Sequence, residues 1–180
     1  TSVEDFRKLR EFGAGYVDKT SFICRILDDL SEVSLFPRPR RFGKTINLST
    51  LAYFLRKTDE DLSHLFEGLE VTRDAKAIAH FQEYPVLFVT FKDVKAATFA
   101  SAMSGIREQI MSACRQHAYL FEGCNIESSL AQQLERARMG KASDDELQYA
   151  LKWLSEALFQ HHRQRVVILI DEYDTPVQSG

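Results

Sequence analysis

The sequence has no long apolar run. Its longest aliphatic stretch, Val166–Ile170, is far shorter than the roughly 20 apolar residues that a membrane-spanning helix needs. The first residues also lack the apolar core of a signal peptide. We therefore expect neither a signal peptide nor a membrane span, and we expect a cytoplasmic protein.

Cysteine is scarce, with three among 180 residues. Cys24, Cys114 and Cys124 are an odd number without metal-type spacing, which argues against a disulfide framework and against a zinc site. The adjacent His161 and His162 likewise have no cysteine or carboxylate partner at ligand spacing. We expect three reduced thiols and no metal at the two histidines.

An excess of either charge is also missing. The chain has 23 Lys and Arg against 26 Asp and Glu, a net charge of -3, so any basic site must be local. The composition is 44% hydrophobic and 27% charged, which suits one globular domain with a sizeable core. Because no repeat, low-complexity tract or linker interrupts the chain, we expect residues 1–180 to belong to one domain.

Periodicity predicts strands that alternate with helices. Apolar and β-branched runs predict strands at 33–36, 85–92 and 165–171, and helical spacing predicts helices at 3–11, 19–30, 45–57, 59–66, 75–81, 98–117, 127–139 and 144–161. Asp18 is a predicted N-cap, and Ser143 with Glu146 forms a predicted capping box. This order predicts an α/β fold with three layers and a mostly parallel sheet.

A basic turn after the first predicted strand ends in Gly43-Lys44-Thr45 and leads into a helix. The amides of such a helix start face an anion that the helix dipole favours, and the lysine and hydroxyl suit terminal phosphates and a magnesium ion. Arg38 stands where the standard phosphate-loop pattern has its first glycine. Because Gly-Lys-Thr alone often occurs by chance, this prediction needs support from elsewhere in the chain.

The support comes from the last predicted strand, which ends in Asp171-Glu172. So apolar a strand is typically central, parallel and buried on both faces. Ligands in parallel sheets bind outside the carboxyl ends of strands, where both polar clusters fall. An acid there can hold magnesium beside Thr45, and the next acid can orient or deprotonate a water.

Further motifs extend along the whole chain: Tyr16–Thr20, Phe36–Thr45 with Leu48–Leu51, Leu65–Leu69, Tyr84–Val86 with Phe91-Lys92, and Asp171–Pro176. On these residues the chain resembles the predicted AAA-ATPase-like family. The form Arg-Pro-Arg-Arg-Phe-Gly-Lys-Thr is the distinctive part of the resemblance, and it places an arginine where other phosphate loops have glycine. The resemblance implies a P-loop NTPase fold that binds ATP and Mg²⁺.

The resemblance also implies residue roles. Lys44 and Glu172 are the expected catalytic residues, Lys44 on the β/γ-phosphates and Glu172 on the attacking water, while Thr45 and Asp171 are the expected magnesium ligands. The remaining nucleotide-binding positions are those of the loop: Arg38, Arg40, Arg41, Phe42, Gly43, Lys44 and Thr45. Tyr16–Thr20 lies either near the base or ribose, or serves as a helix cap with a packed tyrosine. For Tyr173, Asp174 and Pro176 no chemical role follows.

The family is often followed by a nuclease-like domain. In its fold the strand after the second motif lies centrally and carries a sensor residue. We therefore expect the natural protein to continue past Gly180, with 1–180 as the N-terminal part of an incomplete P-loop NTPase domain.

Three functions remain open from the sequence. The first is an ATP-hydrolysing domain of a larger protein, the second a nucleotide-gated regulatory or scaffold module with little turnover, and the third a nucleic-acid-acting module whose chemistry lies in another domain. Arg38, Arg40 and Arg41 allow phosphate contacts, a nucleic-acid patch or solvated charge. An oligomer remains open as well.

Overall fold

The computed structural model describes residues 5–13, 15–29, 33–34, 43–94, 98–123 and 126–173. The chain divides into two compact units, Thr1–Tyr84 and Pro85–Gly180. Across the described residues the architecture is mixed α/β, with a two-stranded parallel sheet and mostly helices otherwise. This confirms the predicted α/β class, whereas the three-layer arrangement stays a prediction.

The described part of the first unit is helical. Its elements are α1 (Phe6–Glu11), α2 (Ser21–Asp28), α3 (Lys44–Leu55), α4 (Ser63–Phe66), a 3₁₀ helix at Glu70–Arg73, and α5 (Ala75–Ile78). Each of the five α-helices overlaps a predicted helix, whereas the 3₁₀ helix at Glu70–Arg73 was not predicted. The predicted strand at 33–36 lies half outside the described residues, and residues 33–34 are in no strand.

Helix α3 is the centre of this unit. Its residues from Ser49 to Leu55 are almost all buried, so the helix lacks the polar face of a surface helix. Phe54 of this helix belongs to a cluster of four rings with Phe6, Phe66 and Phe81, in which contacting ring centroids are 5.0–5.6 Å apart. Burying one such ring removes enough apolar surface to stabilise the fold by about 2–3 kcal/mol, which anchors α1 and α4 against α3.

The second unit contains the described sheet. Its elements are β1 (Val86–Thr90), α6 (Phe99–Gln116), a 3₁₀ helix at Ala118–Phe121, α7 (Ser128–Arg138), α8 (Asp144–His162) and β2 (Val167–Asp171). Strands β1 and β2 are parallel, in register from Val86 with Val167 to Thr90 with Asp171. The helices between them form the crossover that a parallel pair requires.

Capping boxes, formed by residues three positions apart, set the starts of two helices in this unit. Ser143 and Glu146 make the predicted capping box of α8, and Thr98 with Ser101 makes a second one at α6. Leucines and alanines of the three helices, with Leu87 and Val89 of β1, form one buried core.

The prediction that the last strand is buried on both faces is wrong for β2. Leu169 and Asp171 are buried, whereas Ile168 and Ile170 are 43% and 40% exposed. The reason is that β2 pairs with β1 on one edge and packs one face on the core, while no described element covers the other face.

Candidate functional site

Gly43 directly precedes α3 in a left-handed conformation, with φ 74° and ψ 24°. Residues with a Cβ rarely adopt this conformation, so glycine is favoured here. The first helical hydrogen bond runs from the Asn47 N–H to the Gly43 carbonyl oxygen at 3.0 Å. The amides of the first turn therefore have no partner within the helix.

The N-cap residue of this helix is Gly43, which has no side chain that could cap the first turn. The helix has 12 residues, and its dipole places partial positive charge at the turn that carries Lys44 and Thr45. Both residues are half-buried. Outward amides, a lysine and a hydroxyl fit a phosphate group and the magnesium that accompanies it. The first-turn chemistry thus fits the predicted nucleotide.

The other loop residues predicted to bind nucleotide, Arg38, Arg40, Arg41 and Phe42, lie outside the described residues. The three interpretations of the arginines therefore remain predictions.

Asp171 occupies the last position of β2. The Phe91 N–H donates to its carbonyl oxygen at 3.0 Å, and its side chain is only 1% exposed. The structure thus places a carboxylate at the carboxyl end of a parallel strand, as the sequence predicts. Carboxylate oxygens are ligands that Mg²⁺ prefers, so the donor chemistry at this position fits the predicted metal.

Glu172 leaves the strand with φ 53°. A non-glycine residue in this region is strained by about 1 kcal/mol or more. Such strain is concentrated at functional positions, and the pattern of residue types around Glu172 does not reveal it. The following Tyr173 is 63% exposed, and the rest of that motif lies outside the described residues.

Gly43, Lys44 and Thr45 belong to the first unit, and Asp171 and Glu172 belong to the second. A helix start positions the first group of residues, and a strand end positions the second.

The adjacent histidines and the cysteines were the other residues considered as metal ligands, and the two histidines contact Tyr119. The Tyr119 hydroxyl lies 2.8 Å from His162 Nε2, and the His161 ring packs against Tyr119. Among the described residues no group of three His, Cys, Asp or Glu side chains can hold a metal ion. Cys24 and Cys114 are free thiols, as predicted, and burial raises the pKa of Cys114 to about 11. Cys124 lies outside the described residues.

Two cavities lie away from the motifs. One of about 310 Å³ is formed by α2 and α5, and one of about 380 Å³ lies beside the start of α7. Neither is lined by a predicted nucleotide-binding residue. None of the helices in the described residues is long and apolar enough to cross a membrane.

The chain is similar to a protein of Azotobacter chroococcum mcd 1 described as an uncharacterized protein in the vnfD 5' region. The two are 29% identical over 179 residues, covering 97% of this chain and 28% of the relative. The chain thus spans just over a quarter of that relative's length. No solved structure matches it. The model of the family described as Predicted AAA-ATPase matches residues 1–179, and the chain belongs to that family.

Proposed function

We propose that this chain binds Mg-ATP through Gly43, Lys44 and Thr45 and that the protein hydrolyses it. One observation carries the proposal: a left-handed glycine, Gly43, directly precedes a 12-residue helix whose first turn contains Lys44 and Thr45. Family membership, which suggests an ATP-binding NTPase, supports the identity of the nucleotide.

Lys44 supplies a positive charge for the β- and γ-phosphates, and the Thr45 hydroxyl supplies an oxygen ligand for the metal. Bound magnesium would neutralise charge on the phosphate oxygens. For Asp171 and Glu172 the proposal rests on the sequence motif and on family membership. Asp171 serves as a metal ligand, and Glu172 orients the attacking water and accepts its proton.

Titration calorimetry with ATP, with and without Mg²⁺, tests binding. Wild type binds, Lys44→Ala loses binding, and Arg38→Gly does not bind better than wild type, because in this loop the arginine takes the place of the usual glycine. Unchanged affinity in Lys44→Ala overturns the assignment of the site.

A phosphate-release assay on the full-length protein tests turnover, with Glu172→Gln as its control. We expect slow release in the variant and unchanged ATP affinity. Equal rates in the variant and wild type contradict the role of Glu172. Binding without release in wild type assigns the chain to the regulatory, nucleotide-gated class instead.

We also propose that the nucleotide state controls a further domain of the longer protein, of which a nuclease-like domain that acts on nucleic acid is the expected kind. DNA binding by the full-length protein at varied salt concentrations tests this, because phosphate contacts give affinities that fall steeply with salt. Loss of the salt-dependent part in an Arg38→Ala/Arg40→Ala/Arg41→Ala variant would assign the contact to the loop.

A further inference from the structure

The segment Tyr16–Thr20 is hydrogen-bonded to the 3₁₀ helix that begins at Glu70. The Thr20 N–H and hydroxyl donate to Asp18 Oδ1 at 2.8 and 2.7 Å, and the Glu70 N–H donates to Asp18 Oδ2 at 2.7 Å. Although burial opposes the shift, these bonds lower the pKa of Asp18. Both carboxylate oxygens therefore have protein partners.

Thr20 completes the connection. Its Oγ1 accepts the Val71 N–H at 3.0 Å, and the residue is fully buried. The hydroxyl thus donates to Asp18 and accepts from Val71 at the same time. Removing it leaves a buried backbone N–H without an acceptor, which is the costly kind of hydrogen-bond loss.

Tyr16 of the same segment packs against α1 and lies near Thr50 of α3. Its ring packs edge-on against Phe6, with centroids 5.3 Å apart. Burial raises the pKa of Tyr16, and the Thr50 hydroxyl lies close enough to oppose that rise without making a well-aligned hydrogen bond. Thr50 itself donates to the Ile46 carbonyl oxygen at 2.8 Å. Tyr16 thus lies against the turn of α3 that follows Lys44 and Thr45.

Helix α1 meets the same part of α3. The Phe6 N–H donates to Ser49 Oγ at 3.0 Å, in a buried position, and the Tyr53 hydroxyl donates to Asp5 Oδ2 at 3.1 Å. Because backbone hydrogen bonds connect each turn of a helix to the next, contacts that hold the middle of α3 also restrain the direction of its first-turn amides.

We propose that Tyr16, Asp18 and Thr20 form a brace that holds α3 in the orientation needed for phosphate binding, which makes them positioning residues. The proposal rests on the proposed function of the α3 start. It assigns the brace no contact with the base or ribose, because the polar atoms of Asp18 and Thr20 are engaged within the protein and the Tyr16 hydroxyl is buried.

The test measures binding of two magnesium-bound ligands, ATP and inorganic tripolyphosphate, to Thr20→Val and Thr20→Ser. Thr20→Val keeps the side-chain shape and removes the hydroxyl, so we expect both ligands to bind more weakly by the same factor, on the order of tenfold. Thr20→Ser keeps the hydroxyl and stays within about twofold of wild type. If the segment contacts the nucleoside, ATP alone loses affinity and the brace is wrong.

Amide hydrogen exchange over residues 44–55 provides a readout that does not need a ligand. If the brace holds α3, the amides of residues 44–55 should exchange faster in Thr20→Val than in Thr20→Ser. Equal exchange rates in the two variants would overturn the proposal. If wild type binds neither ligand, the proposed function fails, and exchange still tests the brace.

Should Thr20→Val not fold, Asp18→Ala takes its place, since Asp18 is exposed and its loss frees the Glu70 N–H. Unchanged affinity for both ligands in a folded variant contradicts the proposal while leaving the nucleotide site intact.

Discussion

Thr90 of β1 and Asp171 of β2 are register partners at the carboxyl ends of the two parallel strands. Together with the bond from the Phe91 N–H to the Asp171 carbonyl oxygen, this pairing fixes where β2 ends. The next residue, Glu172, must then turn away within one position, and it does so in the left-handed region. The position proposed for the catalytic carboxylate is therefore strained by the strand that presents it.

Relieving that strain is expected to raise stability and lower turnover. Asparagine adopts the left-handed region more readily than glutamate, so Glu172→Asn should raise the free energy of unfolding by about 0.5 kcal/mol while phosphate release falls. Arg163→Asn is the matched control, because Arg163 has the same φ of 53° at the C-cap of α8. It should gain similar stability without affecting release. Denaturant unfolding and the release assay check both, and undiminished release in Glu172→Asn would contradict the role of Glu172.

Gly43→Ala is expected to weaken ATP binding beyond its effect on folding. The φ of 74° at Gly43 disfavours a Cβ, so alanine costs about 1 kcal/mol and shifts the amides at the start of α3. Gly68→Ala is the control, since Gly68 has φ 78° and equally open space around it. Both variants should lose similar stability, and only Gly43→Ala should lose about tenfold in ATP affinity by calorimetry. Equal affinities would argue against Gly43 as part of the site.

Gly105→Ala is expected to destabilise the second unit by steric overlap. A Cβ at Gly105 would lie 2.9 Å from Val94 Cγ1, and Val94 is buried. Overpacking of this kind costs about 1–3 kcal/mol. In the Val94→Ala/Gly105→Ala double variant the overlap is gone, so its loss of unfolding free energy should be smaller than the sum of the single losses. Strict additivity would show that the two residues do not compete for space.

The start of α8 should show a specific dependence on pH. A side-chain hydrogen bond from Arg136, together with the Ser143 N–H, lowers the pKa of Glu146 from 4.5 to about 2. Because the folded state holds the proton less tightly than the unfolded state, the stabilisation is complete above pH 4.5 and is lost as pH falls toward about 2. The stability difference between wild type and Glu146→Gln should therefore shrink across that window in thermal unfolding. A difference that stays constant would exclude the ion pair as its cause.

Features set by neighbouring residues were predictable from the sequence. The capping box of α8 depends on Ser143 and Glu146 alone, and the start of α3 follows from Gly43 and the apolar spacing after it. The predicted N-cap role of Asp18 is wrong, because α2 begins at Ser21 and Thr20 occupies its N-cap position. The Asp18 carboxylate instead also accepts the N–H of Glu70, 52 positions away. No local pattern encodes such a contact.

For the candidate site, the sequence predicts which residues lie at the start of a helix and at the end of a strand. The backbone conformation of these residues is visible only in the structure. The left-handed Glu172 follows from where pairing with β1 stops, which periodicity cannot reveal. The buried face expected at Ile168 and Ile170 depends on which layer meets the strand. An all-apolar strand indicates that both of its faces can be buried, but it does not indicate which elements cover them.

Ile168 and Ile170 are 43% and 40% exposed, and their exposure bears on self-association of the chain in solution. Exposed β-branched residues on a strand that leaves one edge unpaired among the described residues promote strand association between molecules. We therefore expect association to increase with protein concentration, and light scattering recorded beside each titration checks this. We expect Ile168→Lys to reduce this association, since it adds a charge to the exposed face of β2 and does not change the buried Asp171.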